Sequence, residues 1–170
     1  MSKRKEITDL PFGKEKIVRL DWRKHEKRMD EKFSIFLKLD RNLICEKCNK
    51  PYFIQDNLKI PPSIQCSHYI GRTKRNTRWS PTNCFCHCTG CHQYLGNNPH
   101  EFRKWVLDYR FHGCVNRLMI MEHFGNEKFR GDRGIIELWI ERRLAEVLPT
   151  WPVLDYPVLD EIYYKLGMKE

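Results

Sequence analysis

Residues 66–92 read CSHYIGRTKRNTRWSPTNCFCHCTGCH. The stretch holds five cysteines, three histidines and four cationic side chains, more potential ligands than one metal ion can use. How they divide decides the fold. Cys88 and Cys91 have the Cys-x-x-Cys spacing of a zinc knuckle, in which a tight turn brings two sulfurs to one ion. A second pair, Cys45 and Cys48, opens the phrase CEKCNKPY upstream, with polar residues at its tip. Two such pairs complete a tetrahedron. Cys45, Cys48, Cys88 and Cys91 are therefore the expected ligands of a structural Zn²⁺, a set that leaves no open position for catalysis. Cys86 also precedes Cys91, at a less regular spacing. Cys84 and Cys86 alternate with Cys88 as residues on one face of a strand do, and Cys84, Cys86 and Cys114 read as small core residues. Cys66 stays open.

The surroundings suit a metal-dependent core. Residues 41–98 are rich in Cys, Pro, Asn and Gly, and KIPPSIQ (59–65) enforces an extended path because proline disfavours helix at and before itself. Such a segment buries little apolar area, so small β elements around a stabilising ion are expected. Helices are expected on either side. Asp21 is placed to cap one whose inner stripe is Met29, Phe33, Phe36 and Leu37, with Arg23, Lys24, Lys27 and Arg28 on its outer face. Asn98, Pro99 and Glu101 read as the start of another, with a capping box and an inward stripe of Phe102, Trp105, Val106 and Tyr109. A helix over 115–124 follows, then one from Asp132 with Ile136, Ile140, Leu144 and Val147 inward, ending before Pro149. WPVLDYPVLD (151–160) reads as extended, leading into a short final helix near residue 167, and residues 1–20 as a basic arm.

The chain carries 31 Lys and Arg against 22 Asp and Glu, a formal charge of +9, which makes a polyanion the first partner to consider. The opening MSKRKEITDLPFG has no apolar signal region and no run approaches membrane-spanning length, so a cytoplasmic protein with reduced thiols is expected.

With the second knuckle set aside, His68, Asn83 and His92 remain. Here the chain resembles the HNH endonuclease superfamily, whose ββα-metal motif is often framed by zinc knuckles. SHYIGR, TRWSPTN and CTGCHQYLGNNPHEF are similar in order and spacing to the phage NinG (Rap)-like recombination nucleases, over roughly residues 41–145. The resemblance implies an α+β fold: a zinc-stabilised treble-clef or ββα-metal core (41–112), preceded by a basic arm and helix (1–40) and followed by a C-terminal helical extension (113–170). It implies that His68 is the general base, that Asn83 fixes the loop and orients the base, and that His92 is a ligand of a catalytic Mg²⁺ or Mn²⁺. It further implies cleavage of DNA, branched or partly single-stranded, in a bacterial cell carrying a phage or prophage. A homodimer would suit symmetrical resolution of a four-way junction. Many HNH enzymes carry a ligating residue before the base; here Ser67 stands there, and Cys66 is too soft for Mg²⁺. Candidates to complete the set are His100, Asn97 or a carboxylate elsewhere. Arg72, Lys74, Arg75 and Arg78 lie between His68 and Asn83, placed to neutralise phosphates. Trp79 reads as an apolar plug beneath that loop, and His25, His87, His112 and His123 as surface or satisfied core residues. Two other classes stay in view: a zinc-dependent nucleic-acid-binding module without catalysis, and a structural adaptor docking a protein through its zinc knuckle.

Overall fold

A computed structural model describes residues 21–54 and 59–148. The basic arm, WPVLDYPVLD and the final short helix lie outside the described residues. The elements are α1 (Trp22–Asp40), β1 (Ile64–His68), β2 (Cys84–Cys88), α2 (Thr89–Asn97), α3 (Pro99–Phe111), α4 (Val115–Asn126) and α5 (Arg133–Val147). No helix among the described residues is long and apolar enough to cross a membrane.

The carboxylate of Asp21 starts α1 by accepting the Arg23 and Lys24 amides at 3.1 and 3.4 Å. Met29, Phe33, Phe36 and Leu37 are buried, as their spacing requires. The helix ends on two left-handed residues, Asn42 and Leu43, both at φ 53°. A left-handed leucine costs about 1–2 kcal/mol. Leu43 is held there by complete burial and by its amide, which donates to the Lys38 carbonyl at 2.9 Å. The turn delivers the chain directly to Cys45.

β1 and β2 form a two-stranded antiparallel hairpin in which Cys66 faces Cys86 and His68 faces Cys84. Alternation puts Cys66, His68, Cys84 and Cys86 on one face and Ser67, Phe85 and His87 on the other. A hairpin alone is marginal in water, and here each face is covered by its own core. The first core joins Met29, Phe33 and Leu37 of α1 with Cys66, Trp79, Cys84 and Cys86, and with Ile140 and Leu144 of α5. The second joins Phe85 with Leu95, Phe102, Val106, Leu118 and Met121 from α2, α3 and α4. The fold is thus mixed α and β in three layers. Packing ignores the sequence boundaries: α5, from the expected C-terminal extension, lies against α1, with Lys32 buried between Glu137 and Glu141, and His25 3.2 Å from Glu137.

Three local expectations are corrected. Cys114 is exposed at the N-cap of α4 instead of packing in a core. The α3 capping box does not form: Asn98 also closes α2, and its side-chain amide turns back to donate to the Tyr94 carbonyl at 2.7 Å. Tyr109 is 43% exposed, stacked on Trp105 at the edge of the second core.

Candidate functional site

The first knuckle is a tight turn. An Ile44–Pro51 bridge closes it, Cys45 N–H donates to the Lys50 carbonyl at 2.9 Å, and Asn49 N–H donates to the Cys45 carbonyl at 2.8 Å. Asn49 takes the left-handed conformation at the tip (φ 58°), which asparagine tolerates better than most residues. The second knuckle is the junction of β2 and α2. Cys88 caps the helix, its sulfur accepting the Cys91 amide at 3.4 Å.

Folding brings the two knuckles together. The sulfurs of Cys45, Cys48, Cys88 and Cys91 all lie within 4.8 Å of one another, with Cys48 and Cys88 at 3.9 Å. A zinc tetrathiolate, with Zn–S near 2.3 Å, needs sulfurs about 3.8 Å apart. Burial pushes the Cys88 thiol up, but hydrogen bonds from Cys91, Cys45 and Cys48 outweigh it and bring it down to about 7. Burial raises Cys45 and Cys91, and neighbouring thiols add to the rise at Cys91. The Cys88 thiolate forms readily, while Cys45 and Cys91 resist until a cation offsets the repulsion, so the donor set fits a zinc ion and leaves it no open position.

Glu46 is a site residue that its place at a knuckle tip gave no reason to single out. It is buried, and its carboxylate accepts the Cys86 amide at 2.6 Å and the Arg110 guanidinium at 3.1 Å. Its own amide donates to the Cys86 carbonyl at 2.8 Å. One carboxylate thus ties the first knuckle to β2 and α3. The available signal was Glu46 within the knuckle and Arg110 off the apolar stripe of α3.

His68 ends β1, half-buried, and its Nε2–H donates to the Arg78 carbonyl at 2.9 Å. That bond leaves Nδ1 with the free lone pair. Burial pushes the imidazole down to about 4, with the charges of Arg72 and Arg78 also lowering it, so it is neutral at pH 7. Asn83 is wholly buried and spans the loop between the strands. Its Oδ1 accepts the Ile70 amide at 2.7 Å, and its Nδ2 donates to the carbonyls of Ile70 and Thr77 at 2.9 and 3.1 Å. The backbone closes the same gap, Tyr69 N–H donating to the Asn83 carbonyl at 3.0 Å.

The loop cations divide. Arg78 makes a two-pronged pair with Asp30 of α1 at 2.9 and 2.7 Å, and the buried Trp79 donates its indole N–H to the same carboxylate at 2.9 Å. Arg75 reaches Glu26 at 3.2 Å. Arg72 and Lys74 are exposed and form no ion pair among the described residues. Burial lowers both His68 and His92, and the charge of Arg72, within electrostatic reach of the two rings, adds to the lowering.

His92 lies in the first turn of α2, and its Nδ1–H donates to the Gln65 side chain at 2.6 Å, leaving Nε2 free. Gln65 and His68 are three residues apart on opposite faces of β1, about 10 Å along the strand. His68 and His92 share no group of three candidate metal donors among the described residues. Among the described residues His92 belongs to no group of three metal donors, Ser67 is buried, and Asn97 and His100 are exposed. His87 is enclosed by Phe85, Phe102 and Trp105, and burial pushes it down to about 3. His68 instead shares a cluster with Cys66 and Cys84, whose donor atoms all lie within 4.8 Å of one another.

No family model, no curated protein and no solved structure matches the chain.

Proposed function

We propose that the chain is a divalent-metal-dependent DNA endonuclease of the HNH type, built on a zinc-held ββα core. The observation that carries this reading is the order of the hairpin. His68 closes the first strand, Asn83 immediately precedes the second, and His92 sits in the first turn of the helix that follows. These are the junctions at which the superfamily places its base, its amide and its metal ligand.

In this reading His68 accepts a proton from the attacking water through Nδ1, because Nε2–H is engaged by the Arg78 carbonyl. Asn83 holds both ends of the loop carrying that carbonyl, and so positions the base. Arg72 and Lys74 take the phosphates flanking the scissile bond. His92, oriented by Gln65, contributes Nε2 to a bound Mg²⁺ or Mn²⁺, which would supply charge stabilisation at the phosphate and at the leaving 3′ oxygen. The products are a 5′ phosphate and a 3′ hydroxyl. By the same resemblance, branched recombination intermediates of a phage or prophage are the substrate, and a homodimer the form that acts on four-way junctions.

The test is cleavage of linear, flap, D-loop and four-way DNA with Mg²⁺, Mn²⁺ or EDTA, beside His68→Ala. The variant is expected to lose the 10²–10⁴-fold that a general base contributes while binding DNA as before. Cleavage at the parent rate would remove His68 from the base role.

One observation favours a second reading, a zinc-dependent nucleic-acid-binding module without catalysis: His92 falls in no group of three candidate His, Cys, Asp or Glu donors among the described residues. Tight DNA binding that needs the structural zinc but neither Mg²⁺ nor Mn²⁺, with no cleavage under any condition, would select it.

A further inference from the structure

We infer that Cys66, His68 and Cys84 form a second metal site, distinct from the four-cysteine centre, that takes Zn²⁺ or a similarly thiophilic ion through two sulfurs and one imidazole nitrogen. Register creates the cluster. His68 lies directly opposite Cys84, and Cys66 is two residues back on the same strand and face. Their donor atoms meet the same 4.8 Å proximity as the four cysteines of the structural centre. Zinc bound by two sulfurs and a nitrogen requires donor separations of about 3.4–3.8 Å, within a small side-chain adjustment.

The ring is prepared as a ligand. Metal-binding histidines characteristically donate their other N–H to a carbonyl or carboxylate, and His68 donates Nε2–H to the Arg78 carbonyl at 2.9 Å. That carbonyl belongs to a residue pinned to α1 through Asp30, so the ring orientation is fixed from outside the hairpin. Charge also balances: two thiolates cancel a divalent ion, so occupation adds no net charge to a face covered by Met29, Phe33 and Leu37. Softness sets the ion class, since thiolate disfavours Mg²⁺ and Ca²⁺ and suits Zn²⁺. Three protein ligands leave a fourth position for an exogenous ligand, unlike the closed four-cysteine centre.

A consequence for activity follows, and this part rests on the nuclease reading. Zinc at the second site takes the His68 lone pair, so site occupation and proton abstraction exclude each other. Excess zinc would then act as an inhibitor of Mg²⁺-supported cleavage.

The experiment is metal counting on the full chain, purified reduced and equilibrated with zinc. Two equivalents per chain are expected to survive gel filtration. A mild chelator should remove one first, and Co²⁺ should refill it, with a sulfur-to-cobalt absorption about half that of a four-thiolate site. Cys66→Ser, Cys84→Ser and His68→Ala should each retain one equivalent with unchanged far-ultraviolet circular dichroism. A parent protein that holds a single zinc, and develops no sulfur-to-cobalt band after mild chelation, overturns the site. The parent measurement decides this even if a variant fails to fold. Two equivalents in the parent, with no cleavage in Mg²⁺ or Mn²⁺ even after the mild chelator has emptied the second site, would overturn the nuclease reading and leave the site standing.

Discussion

Asn83 shows how much one buried side chain can decide. Its amide makes three hydrogen bonds to backbone groups of Ile70 and Thr77, pinning the loop that carries Arg72 and Lys74. Asn83→Ala removes all three and leaves buried backbone groups without partners. At about 1 kcal/mol per bond plus desolvation, the expected loss is about 3 kcal/mol, read as a lowered urea midpoint of the zinc-loaded protein. A loss below about 0.5 kcal/mol would mean that water replaces the amide at no cost. In sequence, an asparagine after Ser-Pro-Thr reads equally well as a turn residue; its three partners are visible only once the strands pair.

At the scale of elements, the loop between β1 and β2 is held on α1 by Asp30, which serves Arg78 and Trp79 together. Asp30→Ala leaves the half-buried Arg78 guanidinium with only the Glu26 carboxylate, at 3.4 Å, and takes the acceptor from the Trp79 indole N–H. It is expected to cost about 3 kcal/mol in chemical denaturation, against near-neutrality for an exposed charge change. Two of the four loop cations thus serve the scaffold, since Arg75 reaches Glu26 of the same helix. The remaining pair carries the DNA prediction. Arg72→Gln with Lys74→Gln should flatten the dependence of log binding constant on log salt by about 1.8, the release expected for two phosphate contacts. An unchanged slope would show that neither side chain touches phosphate.

For the whole molecule, the four-cysteine centre is the link between a knuckle before the hairpin and a knuckle after it. A two-stranded sheet has no independent stability, so the ion and the helices must hold it. Cys48→Ser, at an exposed ligand, should weaken retention of the structural zinc, and full chelation should abolish the cooperative thermal transition. A chelated protein that still melts cooperatively at the parent temperature would show that the helical layers fold without the metal. Those layers are themselves joined end to end: Glu137 and Glu141 of α5 close on Lys32 and His25 of α1, packing the last described helix against the first.

Periodicity and spacing sufficed for the features that depend on near neighbours. The α1 stripe, the Asp21 and Asp132 caps and the two Cys-x-x-Cys pairs are legible because helix turns and metal knuckles repeat over three or four residues. Pairing the two knuckles was legible too, because tetrahedral zinc needs four ligands wherever they lie in the chain. Only tertiary structure decided which cations are free, since Arg78 meets Asp30 across 48 residues and Glu46 meets Arg110 across 64. It also set His68 beside Cys66 and Cys84, in a group of donors that does not include His92. Strand register made that choice: one residue of slip would turn His68 to the other face, and no local pattern in CSHYIGR specifies the register without the strand it pairs with.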